Sequence, residues 1–185
     1  MKRILLSVLG CGLVACSPSI QTLTLGGTCS PPVYPDVSLD GWLLSLTDLK
    51  GRNGASLGKT QGESFSTKLD KRFTNGLYVL SVRHPQKGTM FSVAFPLAEK
   101  QDLSLSTTST LLAMGLMFAA RIGDDSLGKL PLNRLEAMIP QGLKNRFERA
   151  YDDSLSGNAT APADNADLAR DTYWTLRKTL ERTPD

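Results

Sequence analysis

The side chains able to do chemistry are few: one histidine, His84, and three cysteines, Cys11, Cys16 and Cys29, in a chain of 185 residues. Any Ser/His/Asp triad or imidazole acid–base step must use His84, which stands before Pro85 at the end of an apolar run. No Gly-x-Ser-x-Gly elbow accompanies it, and no Ser-x-x-Lys opens a helix. One histidine and scattered cysteines fall short of the four-ligand spacing of zinc sites. The acidic pairs Asp124-Asp125 and Asp152-Asp153 offer an acid–base couple or calcium ligands, but neither sits in the alternating Asp/Asn loop that encloses calcium. They read as solvated helix ends. No catalytic residue, metal site or cofactor is assigned.

The cysteines lead elsewhere. Lys2 and Arg3 precede an apolar stretch from Ile4 to Ala15, the length of a secretory h-region and too short to span a bilayer. Leu13-Val14-Ala15-Cys16 then resembles the lipobox of bacterial lipoproteins. The resemblance implies cleavage between Ala15 and Cys16 and lipid on the Cys16 thiol, with membrane attachment through that lipid. Val8-Leu9-Gly10-Cys11 is similar, but it leaves an h-region of only Ile4 to Leu9, under the roughly 7 residues usually needed. Ordinary signal-peptidase cleavage is disfavoured by Leu13, where a small residue is wanted. Several acyl chains hold firmly where one holds marginally, at about 0.8 kcal/mol per buried CH₂. Where the enteric sorting rule applies, Ser17 after the cysteine implies the outer membrane of a Gram-negative envelope, with the body in the periplasm.

Removing residues 1–15 takes Lys2 and Arg3 from 21 basic side chains, leaving 19 against 18 acidic ones. That near-neutral body lacks the basic excess of nucleic-acid binding. It also leaves Cys29 without an intramolecular disulfide partner in an oxidising compartment. Two readings of Cys29 stay open: a reactive or intermolecular thiol in an exposed Gly/Ser/Pro setting, or a small apolar side chain tucked against the body.

The elements follow from patterning. Residues 16–35 are rich in Ser, Thr, Gly and Pro and read as the lipidated cysteine plus a flexible tether of roughly 25 Å reach. Residues 36–103 read as β. Phe65, Thr67 and Leu69 alternate with polar neighbours, as do Tyr78, Leu80 and Val82, and then Phe91, Val93, Phe95 and Leu97. Asn53-Gly54, Asn75-Gly76 and Lys87-Gly88 supply turns. Gly62-Glu63-Ser64-Phe65 and Gly76-Leu77-Tyr78-Val79-Leu80-Ser81-Val82, with Val37-Ser38-Leu39-Asp40-Gly41 as an opening strand, resemble transthyretin-like or carboxypeptidase-regulatory-like β-sandwiches. The resemblance spans about a third of the chain, lacks that family's Thr-Asp-x-x-Gly-x-Phe turn, and implies a fold without catalytic residues.

Residues 104–185 read as helical. Ser106 to Thr110 offers N-caps for an apolar run Leu111 to Ala120, suited to a buried helix. Leu135, Ile139, Leu143, Phe147, Tyr151 and Leu155 recur every four residues, interrupted by Pro140 and Gly142. A last helix starts near Asp164, with Asp164, Asp167 and Asp171 early and Arg177, Lys178 and Arg182 late, complementing the helix dipole. The fold class is therefore α+β: a small antiparallel β-sandwich followed by a helical C-terminal segment packed on or beside it.

Lys68, Lys71, Arg72, Arg83 and Lys87 form the densest basic region, expected on neighbouring strand ends. The functional expectation is a membrane-anchored envelope lipoprotein acting as a non-enzymatic binding or assembly module. An envelope protein partner would meet the helix face carrying Phe147 and Tyr151. The alternative is an envelope hydrolase of unidentified mechanism, for which His84→Ala is the discriminating variant.

Overall fold

The computed structural model describes residues 22–30, 37–52, 54–70, 76–96, 100–157 and 159–182. Ala15, Cys16 and Cys11 lie outside them. Among the described residues seven strands form two sheets: β1 (Thr22–Cys29), β2 (Leu43–Asp48), β3 (Ala55–Lys59), β4 (Ser64–Asp70), β5 (Leu77–His84), β6 (Gly88–Pro96) and β7 (Lys100–Leu105). One sheet has the order β4-β1-β7, the other β3-β2-β5-β6. All pairings are antiparallel except that of β1 with β7.

The first strand corrects the tether. Thr22–Cys29 is the central strand of its sheet, paired on both sides, so residues 22–29 belong to the body. Its alternation explains the burial: Leu25, Gly27 and Cys29 point inward with Phe65, Leu69, Leu103 and Leu105, while Thr28, Ser66, Lys68 and Asp102 face solvent. This sheet buries one face only. The stretch Val37 to Gly41 is likewise not a strand; Asp40 and Gly41 form a turn, and the second sheet opens at β2.

The second sheet is covered on both faces, because helices lie on its outer side. In β6 every residue from Met90 to Phe95 is buried. Phe91, Val93 and Phe95 supply one face, as the period of two predicts, and Met90, Ser92 and Ala94 the other; Leu97 lies outside the described residues. The β5–β6 hairpin turns at residues 85–87, closed by Gly88 at φ 103°, a conformation that favours glycine.

Among the described residues four α-helices follow, α1 (Thr107–Ile122), α2 (Leu132–Ala137), α3 (Gln141–Leu155) and α4 (Ala166–Arg182), with short 3-10 turns at Leu127–Lys129 and Pro162–Asp164. Helix α1 begins where the Ser/Thr run predicts. Ser109 N–H donates to Ser106 Oγ at 3.2 Å and Ser106 N–H to Ser109 Oγ at 2.8 Å, a reciprocal cap. Pro140 separates α2 from α3, since proline cannot continue the hydrogen-bond ladder. Asn165 Oδ1 accepts the N–H groups of Asp167 and Leu168 and starts α4.

Helix α1 and the turn before α4 also close the open edge of β6. Ser92 N–H donates to Thr110 Oγ1 at 3.1 Å, Ser109 Oγ donates to Ser92 O at 3.2 Å, and Thr89 N–H donates to Asp164 Oδ2 at 2.8 Å. Edge groups that would otherwise invite another strand are thereby satisfied. At the opposite border, Thr67 Oγ1 on β4 donates to Leu57 O on β3 at 3.2 Å, joining the two sheets. One apolar cluster runs through both sheets and all four helices. Among the described residues no helix is long and apolar enough to cross a membrane.

Candidate functional site

The sequence's chemical candidates end up apart. Cys29 is buried at the end of β1, 1% exposed; burial, then the charge of Glu63, push its thiol up to about 12. A thiol so far from its thiolate is a packing residue. His84 ends β5, its Nδ1 accepting Gln86 N–H at 3.1 Å and its ring meeting Trp42 edge-on at 5.1 Å. Partial burial, then Lys87, lower its pKa, favouring the neutral ring. Among the described residues, no group of three or more His, Cys, Asp or Glu is placed to hold a metal.

Asp124 is a structural joint. Its Oδ1 accepts Ser126 Oγ–H at 2.5 Å and Ser126 N–H at 2.9 Å, and its Oδ2 accepts the Tyr173 phenol at 2.7 Å, with Arg177 Nε 3.7 Å away. These bonds, the Ser126 hydroxyl first and the Tyr173 phenol next, pull the carboxyl from 3.8 to about 2 against the opposing effect of burial. Asp152 and Asp153 lie in the last turn of α3.

A carboxyl whose folded pKa is depressed stabilises the fold above its unfolded pKa. That contribution is fully present above about pH 4 and is lost as pH falls towards 2. Asp124→Asn should therefore cost about 1–2 kcal/mol near neutrality, after discounting for solvent around Arg177. The difference from the parent protein should shrink across that acid window. Urea unfolding at pH 7, 4 and 2.5 measures it, and a pH-independent difference would contradict the assignment.

Among the described residues the basic region does not assemble. Lys68 is on β4 in register with Thr24, near the start of β1, whereas Arg83 pairs with Leu43 and Thr89 at the other end of the second sheet. Lys87 turns away to donate its Nζ to Ser154 O at 3.0 Å and to Leu155 O, satisfying carbonyls at the C-terminus of α3. Lys71 and Arg72 lie outside the described residues. The partner face is also corrected: Phe147 and Tyr151 are both fully buried, Tyr151 packing at 5.3 Å on Phe91. That face is spent within the body.

What the fold does build is a cavity of ≈ 270 Å³ between the outer face of β5–β6, α1 and the start of α4. Its sheet wall is polar, with Ser81 Oγ and Ser92 Oγ 3.0 Å apart. Met114, Met117 and Phe118 of α1 supply an apolar wall, Arg121 a cation, and Asp164 and Asn165 the opposite rim. Such a site fits a small ligand with an apolar body and one or two polar groups. Its sequence signal is a serine on each of two adjacent, otherwise apolar strands, Leu80-Ser81-Val82 and Phe91-Ser92-Val93. A second cavity of ≈ 240 Å³ lies between Leu49, Leu77, Leu116 and the loop carrying Asp124 and Lys129.

No family model matches the chain, and no curated protein matches it. Among solved structures it is similar to a DUF3823 family protein from Parabacteroides merdae ATCC 43184, at 21% identity and a TM-score of 0.33. The match covers 46% of this chain and 45% of that one.

Proposed function

We propose that the chain is a cell-envelope lipoprotein, cut between Ala15 and Cys16 and lipidated on Cys16, whose body is a non-enzymatic binding or assembly module. One observation carries this: Leu13-Val14-Ala15-Cys16 behind a basic start and an apolar run of secretory length. The Ser81–Ser92 cavity supports the binding role, since its polar pair and methionine-rich wall suit a small amphiphile. In a Gram-negative cell Ser17 directs the protein to the outer membrane, with the body in the periplasm.

The test is fatty-acid labelling with membrane fractionation. The parent protein should take up labelled fatty acid and pellet with membranes. Cys16→Ala combined with Cys11→Ala should lose both the label and the pelleting. A double variant that keeps them would refute the proposal, and the single variants assign the cysteine.

A further inference from the structure

We infer that the end of the body at which β1 begins lies against the lipid surface, and that the opposite end, with Trp42 and His84, faces away from it. The inference rests on the anchor proposed above and adds an orientation to it. Five residues, Ser17 to Gln21, separate Cys16 from Thr22. At roughly 3.3–3.6 Å per residue, those two Cα atoms are at most about 20 Å apart. Roughly 5–7 Å of that reach is used in crossing the headgroup layer. What remains is shorter than β1 itself, whose eight residues span about 26 Å. A body so tethered cannot turn over freely.

The topology shows what that end contains. Thr22 is in register with Asp70 and Thr24 with Lys100, so β4 finishes and β7 starts there. The connections from β4 to β5 and from β6 to β7 are short, which brings Leu77 and Pro96 to the same end; they pair with each other. Asp48 pairs with Tyr78, so the turn after β2 joins them. Lys50, Arg52 and Lys68 are exposed at this end, and Lys129 stands beside Leu49 and Leu77. The Asp48 carboxylate is engaged by the N–H groups of Lys50 and Arg52, and Asp124 is engaged by Ser126 and Tyr173. Asp48 and Asp124 keep their charge under these bonds, and Asp125 and Glu181 are exposed acids of the same end, so the reach of the link, not net charge, sets the orientation.

The test uses the full-length, processed protein reconstituted in phosphatidylcholine–phosphatidylglycerol vesicles that carry a headgroup quencher. One fluorophore is placed at Gly54→Cys, near the anchored end, or at Gln86→Cys, in the turn at the far end; both positions are exposed. Quenching should be several-fold stronger at position 54. Inserting about 20 Gly/Ser residues after Gln21, which adds roughly 25 Å of reach, should bring the two signals together. Mass spectrometry of the amino-terminal peptide reads the anchor separately. Equal quenching with diacylglycerol present overturns the orientation and leaves the anchor standing, whereas a peptide without diacylglycerol overturns both. A difference that survives the insertion undiminished also overturns the inference, because the short link would then not be what holds this end down.

Discussion

Replacing Gly27 by alanine is expected to lower the unfolding free energy of the body by about 3 kcal/mol or more. Gly27 sits in the middle of β1, in register with Phe65 on β4 and Leu103 on β7. A Cβ there would lie 2.0 Å from Leu103 O and 2.8 Å from both Leu103 C and Phe65 Cζ. The first two contacts are backbone, so no rotamer change relieves them; β7 itself must move. Its neighbour is the control. At Gly26 the nearest atom to an added Cβ is Phe65 O at 3.7 Å, an ordinary contact. Gly26→Ala should therefore stay within about 0.5 kcal/mol of the parent. With a urea slope of about 2 kcal/mol/M, the Gly27 variant should lose roughly 1.5 M in midpoint, where it folds at all. In a flexible linker both substitutions would be silent, so two silent variants would restore the tether that the sequence suggests for residues 16–35.

That contrast shows where sequence reasoning stopped. Thr22-Leu23-Thr24-Leu25 carries a period of two, but Gly26-Gly27 and the prolines after Cys29 outweigh it in composition, and composition reads as linker. What makes these residues a strand is a partner on each side, and pairing at a separation of about forty residues or more leaves no local mark. Cys29 shares that fate: its Gly/Ser/Pro surroundings suggest exposure, while register with Leu105 places it in the core. The helical half was far more legible, because its signals are local: the Ser106 cap, the break at Pro140, and acids before bases along α4. What the four-residue spacing of Phe147 and Tyr151 cannot reveal is whether their buried face meets this chain or another. The basic region failed for a related reason, since Lys68 and Arg83 lie in different sheets and at opposite ends. The cavity was not read from the sequence: Ser81 and Ser92 stand on separate strands, and its other walls come from helical segments more than twenty residues downstream.

The joint between those halves is Phe91, and Phe91→Ala should cost about 3–5 kcal/mol, against a total stability of roughly 5–15 kcal/mol. The ring is fully buried. It stacks on Trp42 at 6.4 Å with 20° between planes and tilts against Tyr151 at 5.3 Å. Trp42 follows the turn before β2 and Tyr151 belongs to α3, so one side chain links the strand layer to the helices. Truncation leaves two aromatic rings facing a void and removes the geometry in which such pairs are favourable. Leu43→Ala, at a side chain 39% exposed, supplies the surface comparison and should change stability by well under 1 kcal/mol. A Phe91→Ala loss no larger than that of Leu43→Ala would show that the helices are held to the sheets elsewhere, by the Ser109 and Thr110 bonds to Ser92 and the Asp164 bond to Thr89.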